Sequence, residues 1–144
     1  MKSAALQTAI FTALAGDSTL TAMLSDNWGA TAIFSDVPEV AEDENPDYYP
    51  FISFGQEVTS PFDDKQTTGG DAAIEINVWS QAGDYIEAKT VADRIHTVLH
   101  RQALTITGAD HILTNFTTAE PSLDPDGITK RVLMLFAVLY QETE

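Results

Sequence analysis

At 144 residues the chain has the length of one domain and can enclose a hydrophobic core without staples. It has no cysteine, which excludes a disulfide framework, a thiolate nucleophile and a cysteine zinc site. Seven Lys and Arg stand against 22 Asp and Glu, and a net charge of −15 excludes binding nucleic acid by neutralising its phosphates.

The opening residues read as an amphipathic helix over about 3–15, ended by Gly16. Gln7, Thr8 and Thr12 interrupt its apolar run, which argues against a secretory signal, and no run reaches the ~20 apolar residues of a membrane span. Asp17 or Ser18 is placed to cap a short second helix through about Leu24. A brief strand at 31–35 leads into an acidic, proline-broken loop that contains Glu42, Asp43, Glu44 and Asp47. Residues 51–59 alternate as a strand, with Ile52, Phe54 and Val58 expected on one face. The connection that follows is too long for a tight hairpin turn, and its polar residues from Pro61 to Gly70 read as a mobile arm.

Residues 69–80 form the next strand. Ile74, Ile76 and Val78 make an apolar face, while Glu75, Asn77 and Trp79 lie on the other. After Ser80 the period changes to about 3.6: Ala88, Val91, Ala92, Ile95, Val98 and Leu99 form one stripe, with Asp84 and Glu87 spaced as a capping box. Three strands are expected after this helix, at 103–107, at 111–120 and at about 128–141, with turns at Gly108 and at 121–127. In the last of them both alternating sets are apolar, Val132, Met134, Phe136 and Val138 on one side and Leu133, Leu135, Ala137 and Leu139 on the other, the pattern of a central strand buried on both faces.

These elements predict an α+β fold: a mostly antiparallel sheet, with one long helix and a short amino-terminal helical pair packed on one side. Helices on one side leave part of the second sheet face uncovered, and exposed apolar area of that kind marks an interface. Trp79 and Glu75 on one strand and Leu133 and Leu135 on another are the expected contacts, covered in part by a second copy of the chain or by the helices.

Catalytic chemistry finds little support. Asp93, His96 and His100 have metal-ligand spacing on the third helix, but the Glu of a zincin motif is absent and the side chains read as a solvated face. Asp63, Asp64 and Lys65 and the acids at 42–47 could offer oxygen ligands to Ca²⁺ or Mg²⁺ but lack the alternation of a calcium loop, and the Asp124–Gly127 turn lacks its distal Glu. There is no phosphate loop and no nucleophile elbow. A metal-dependent hydrolase and an acidic module mimicking the charge of DNA are therefore the lesser alternatives, and no cofactor is expected.

The order of features carries a resemblance. "LAGDSTLTAMLSD", "AIFSDVPE", "YYPFISFGQ", "INVWSQAGDYIEAKTVADRIHTVLH", "LTITGADHI" and "ITKRVLMLFAVLY" together resemble the tail-completion family of long-tailed phages, prophages and gene transfer agents, which includes tail terminators. The resemblance spans nearly the whole chain and implies a single tail-terminator-like domain over 1–144. It implies a ring, usually of six subunits, in the neck of a virion assembled in a bacterial cytoplasm. The ring caps the head-proximal end of the tail tube, joins tail to head, and lets DNA cross its channel without specific binding. Another neck role, as adaptor or stopper, is the alternative within the class. The partners implied are further copies of the chain, the tail tube protein and a head–tail connector or stopper, with no membrane. Interface residues are then Trp79, Glu75, Leu133, Leu135, Pro61, Phe62, Asp63, Asp64 and Lys65, and the acids at channel or rim are Glu42, Asp43, Glu44, Asp47, Asp63, Asp64 and Asp71.

Overall fold

The strand read at residues 69–80 lies at the centre of a five-stranded sheet. A computed structural model describes residues 1–37 and 46–143, so Glu42, Asp43 and Glu44 lie outside the described residues. The elements are α1 (Ser3–Ala15), α2 (Ser18–Met23), β1 (Ile33–Phe34), a 3-10 turn (Pro46–Tyr48), β2 (Phe51–Pro61), β3 (Gly69–Ser80), α3 (Ile86–Leu99), β4 (Ala109–Leu123) and β5 (Lys130–Glu142). The sheet order is β1-β2-β3-β5-β4.

The expected architecture needs correction in two respects. The sheet is mixed, because β1 runs parallel to β2 while the other pairs are antiparallel. No single long helix dominates: α3 has 14 residues and α1 has 13. At 1.5 Å per residue α3 spans about 21 Å, against about 40 Å for the strand beneath it. It stops where Arg101 takes φ 58°, a left-handed turn that lets its N–H bond to Thr114 O at 2.8 Å. A helix of that length cannot cover the sheet, and β4 from Thr117 to Leu123 is exposed at every residue.

The core lies between the helices and one sheet face. Leu6, Ile10 and Leu14 of α1 and Val91, Ile95 and Leu99 of α3 pack with Ile74, Ile76 and Val78 of β3 and with Val132, Met134, Phe136, Val138 and Tyr140 of β5. The inner faces thus match the two periodicities in the sequence. Asp17 ties the helical layer together. Its Oδ2 caps α2 by accepting from the Leu20 N–H at 2.9 Å, and both its oxygens accept from Arg94 at 2.8 Å. The Arg94 hydrogen bonds, helped by the Leu20 N–H and opposed by desolvation, hold the Asp17 carboxyl below the usual carboxylate range.

Several local expectations change. A register shift between Phe54 and Glu57 pairs Val58 with Ala73, which carries Val58 off the core face to 62 % exposure. Residues 103–107 are not a strand: only Ile106 bridges to Ala109, although Leu104 and Ile106 are buried. The capping box does not form, since Asp84 accepts from the Ile86 N–H and Glu87 from Ser80 Oγ. Pro121 to Leu123 are strand, and the turn is confined to 124–129, where Asp126 accepts from the Ile128 and Thr129 N–H groups. β5 is next to the edge strand β4 rather than central, and its second face is half-exposed rather than buried.

Candidate assembly surface

The helix-free face of the sheet carries the side chains singled out in the sequence. Register places Phe51 opposite Trp79 and Trp79 opposite Arg131. Asn77 stands opposite Ser53 and Leu133, and Glu75 opposite Leu135. The face is therefore polar at one end of β3 and apolar along β5.

The polar end is satisfied within the chain. Trp79 stacks on Phe51 at 6.3 Å, its Nε1 donates to Ser53 Oγ at 2.9 Å, and the Arg131 guanidinium lies 5.3 Å above its ring. Arg131 Nε donates to Asn77 Oδ1 at 2.8 Å, Asn77 Nδ2 donates to Glu75 Oε2 at 3.1 Å, and a second Arg131 nitrogen stands 3.6 Å from the same oxygen. The Glu75 carboxylate folds over the backbone of Gly55, where a Cβ would overlap it. Phe51 continues the cluster to Tyr49, Phe34 and Trp28. Trp79 and Glu75 thus acquire cover from their own chain, which sequence reading could not supply because it needs the register of β3 against β5. The signal was present in Arg131, which with Lys130 opens an otherwise apolar strand.

Along β5, Leu133, Leu135, Ala137 and Leu139 are half-exposed, and Val58, Ala73 and Asp71 beside them are exposed. The hairpin from β2 to β3 projects past this stripe. Pro61, Phe62, Asp63, Asp64 and Lys65 are all exposed there. Asp63 Oδ1 accepts from the Gly69 N–H at 3.0 Å, and Asp64 Oδ1 accepts from the Gln66 and Thr67 N–H groups and from Thr67 Oγ1. Those bonds lower the Asp64 pKa, the backbone bond from Gln66 most. Asp47, on the 3-10 turn, is exposed at a distance in sequence from the arm.

His96 and His100 are not a solvated face. Both are half-buried and stack at 4.7 Å, His96 meets the Phe116 ring edge at 5.0 Å, and His100 Nδ1 accepts from the Phe116 N–H at 2.9 Å. His111 pairs with buried Thr114 at 2.6 Å on the same strand. His96 and His100 fix the end of α3 to β4, and among the described residues no three His, Asp or Glu side chains converge as metal ligands.

Desolvation lowers the pKa of His100, with the charges of His96 and Arg101 adding to it, and desolvation lowers that of His111. The neutral rings are the folded forms, so their contribution is complete above the unfolded value of about 6.5 and is lost as pH falls toward the lowered folded values. His100→Asn, which keeps an acceptor but cannot titrate, is expected to flatten the loss of stability as pH falls below about 6.5. Urea melts across that range check this, and an unchanged slope would remove His100 from the acid response.

Helices thus close one face of the sheet, and a stripe of half-exposed aliphatic side chains runs along the other. The sequence profile of the family described as "Tail completion protein gp17" matches residues 8–141, and the chain belongs to that family. It is a structural protein of the phage tail, a component of virions, and not an enzyme. A curated relative, the tail completion protein gp17 of Bacillus phage SPP1, is 26 % identical over 84 residues. That match spans 58 % of this chain and 62 % of the relative, so the chain matches under two thirds of the relative's length. Among solved structures, a chain of the virion of a native gene transfer agent particle shares the fold with a TM-score of 0.82 at 22 % identity, covering 97 % of both chains.

Proposed function

We propose that the protein forms a ring, of six copies, in the neck of the virion, where it caps the head-proximal end of the tail tube and joins tail to head. The observation that carries this reading is the one-sided sheet: helices close one face, while Leu133, Leu135 and Leu139 on the other remain half-exposed in a chain charged at −15. Apolar side chains kept at the surface of so acidic a chain serve a contact. Membership in the tail completion family supplies the setting. The tail tube protein and a connector or stopper are the partners on the two sides of the ring.

DNA crosses the channel without being gripped, because acids offer it no cation with which to release its counterions. Asp63, Asp64 and Asp71 of the arm and Glu42, Asp43, Glu44 and Asp47 of the acidic loop are the candidates for that repulsion, since a carboxylate that accepts hydrogen bonds keeps its charge. Particle-producing cells lacking the protein are expected to accumulate full heads and separate tails of uncontrolled length. Wild-type protein restores joined particles. Protein with Glu42, Asp43 and Glu44 changed to Lys, or with Asp71→Lys, restores joining in both cases, and whichever lines the channel slows DNA release, most at low salt. Joined particles of normal tail length in the absence of the protein would end the reading.

A further inference from the structure

β4 is the edge of the sheet beyond β5, and its middle carries no charge from Ile112 to Ala119 in a chain with 22 acids. Five of those eight residues, Ile112, Thr114, Phe116, Thr117 and Thr118, are β-branched or aromatic, a composition that favours strand pairing. Such an edge invites a strand from another molecule, because every second residue turns its N–H and C=O away from the sheet. Here those groups are already engaged. Arg101, at φ 58° just past α3, donates its N–H to Thr114 O at 2.8 Å, and the Phe116 N–H donates to His100 Nδ1 at 2.9 Å. A backbone donor and a side-chain acceptor thus occupy places that a neighbouring strand would use. Further along, the Asp124 N–H bonds across the hairpin to Thr129 O, so alternation turns Pro121 outward, where it has no N–H to offer.

We propose that the end of α3 is a plug on the β4 edge, which keeps this strand from pairing with the same strand of a second copy. The plug acts whether or not copies form a ring. Antiparallel pairing about a two-fold axis at Asn115 sets Thr114 of each copy opposite Phe116 of the other, and both residues exchange the bonds now made to Arg101 and His100. Asp110 and Glu120 confine the pairing to the uncharged run between them, since like charges facing across strands repel.

His100 makes the plug titratable. Its Nδ1 accepts only while it carries no proton, and an imidazolium would turn a donor toward the Phe116 N–H. The titratable groups around it are bases: His96 stacks on it at 4.7 Å from α3, Arg101 follows it in the chain, and His111 is held by Thr114 on β4. Among the described residues no carboxylate forms an ion pair with any of the three rings. Desolvation holds the His100 pKa below its ordinary value, so the plug is closed at neutral pH and opens only as pH falls below about 6.5.

Light scattering on the free protein, without tail tubes, tests this. Wild type and His100→Asn, which keeps an acceptor, are expected to stay monodisperse at neutral pH. His100→Ala, which leaves the Phe116 N–H open, should remain folded by circular dichroism and at least double its scattering mass. With His100→Ala, Asn115→Cys should give a cross-linked dimer on mild oxidation, and Asn115→Cys alone should not, the chain having no other cysteine. Below about pH 6.5 wild type should associate and its Phe116 amide should exchange faster, while His100→Asn does neither. The proposal fails if folded His100→Ala stays as monodisperse as wild type, if it associates without the Asn115 cross-link, or if Asn115→Cys alone cross-links at neutral pH. Should His100→Ala not fold, the acid comparison decides. Association of wild type and His100→Asn alike would mark neutralised carboxylates rather than a plug, and that result, or association of neither, would overturn the proposal.

Discussion

Gly70→Ala is expected to destabilise the protein by about 3 kcal/mol, at the upper end of the usual cost of overpacking a core. Gly70 is paired with Tyr140 across the centre of the sheet, and a Cβ there would overlap the Tyr140 ring and hydroxyl. Tyr140 has nowhere to go: it is fully buried, and its hydroxyl accepts from the Lys2 N–H at 3.1 Å, fixing the start of α1. A chain of this length loses about 2–4 °C of Tm per kcal/mol, so the expected drop is about 6–12 °C. Gly83→Ala is the control, because nothing lies within 4 Å of a Cβ there and the backbone does not need a positive φ. It should stay within about 0.5 kcal/mol of wild type. Adding Tyr140→Leu to Gly70→Ala should recover part of the loss, since the clash and the ring are one site. Equal melting of Gly70→Ala and wild type would mean that β3 and β5 do not meet as described.

Arg131→Met is expected to cost about 2 kcal/mol. The Arg131 side chain is 31 % exposed and Glu75 16 %, so the pair is partly screened and the cost falls below the 3–5 kcal/mol of a fully buried pair. Removing Arg131 also leaves Asn77 Oδ1, which is nearly inaccessible, without its donor, and lifts a cation from the Trp79 face. Glu75→Gln combined with Arg131→Met should be milder than Arg131→Met alone, because no unpaired carboxylate remains on the face. A double-mutant cycle by denaturant melts measures this. A double variant as damaged as the sum of the singles would show that Glu75 and Arg131 act independently. Trp79 fluorescence should shift in every variant lacking Arg131.

Much of the fold is legible in the sequence because burial on one face writes a period. Leu6, Ile10 and Leu14 mark α1, the stripe from Ala88 to Leu99 marks α3, and Ile74, Ile76 and Val78 mark the inner face of β3. Where the reading fails, the deciding term is not local. Val58 looks like a core residue until the irregularity after Phe54 slips the register by one face. Leu104 and Ile106 alternate like a strand but are buried as irregular chain, Leu104 beside α1, with one bridge only. The stripe from Ala88 to Leu99 shows a face and not a dominant length, and Arg101 in a left-handed conformation sets the end of α3 without the usual glycine. The assembly surface was half legible. Leu133 and Leu135 betray themselves as a second apolar set on β5, whereas the partners of Glu75 and Trp79 come from β2 and β5 and appear only once the register is known. His96 and His100 were misread for the same reason, since Phe116 reaches them from β4.

The central claim is that copies of this chain close a ring on one end of the tail tube. Electron microscopy of purified tail tubes incubated with the purified protein tests it most directly. A single ring of added density at one end, tubes that no longer elongate, and heads that attach only at that end are the predicted result. Bare tubes at saturating protein, or protein decorating the tubes along their length, would contradict it.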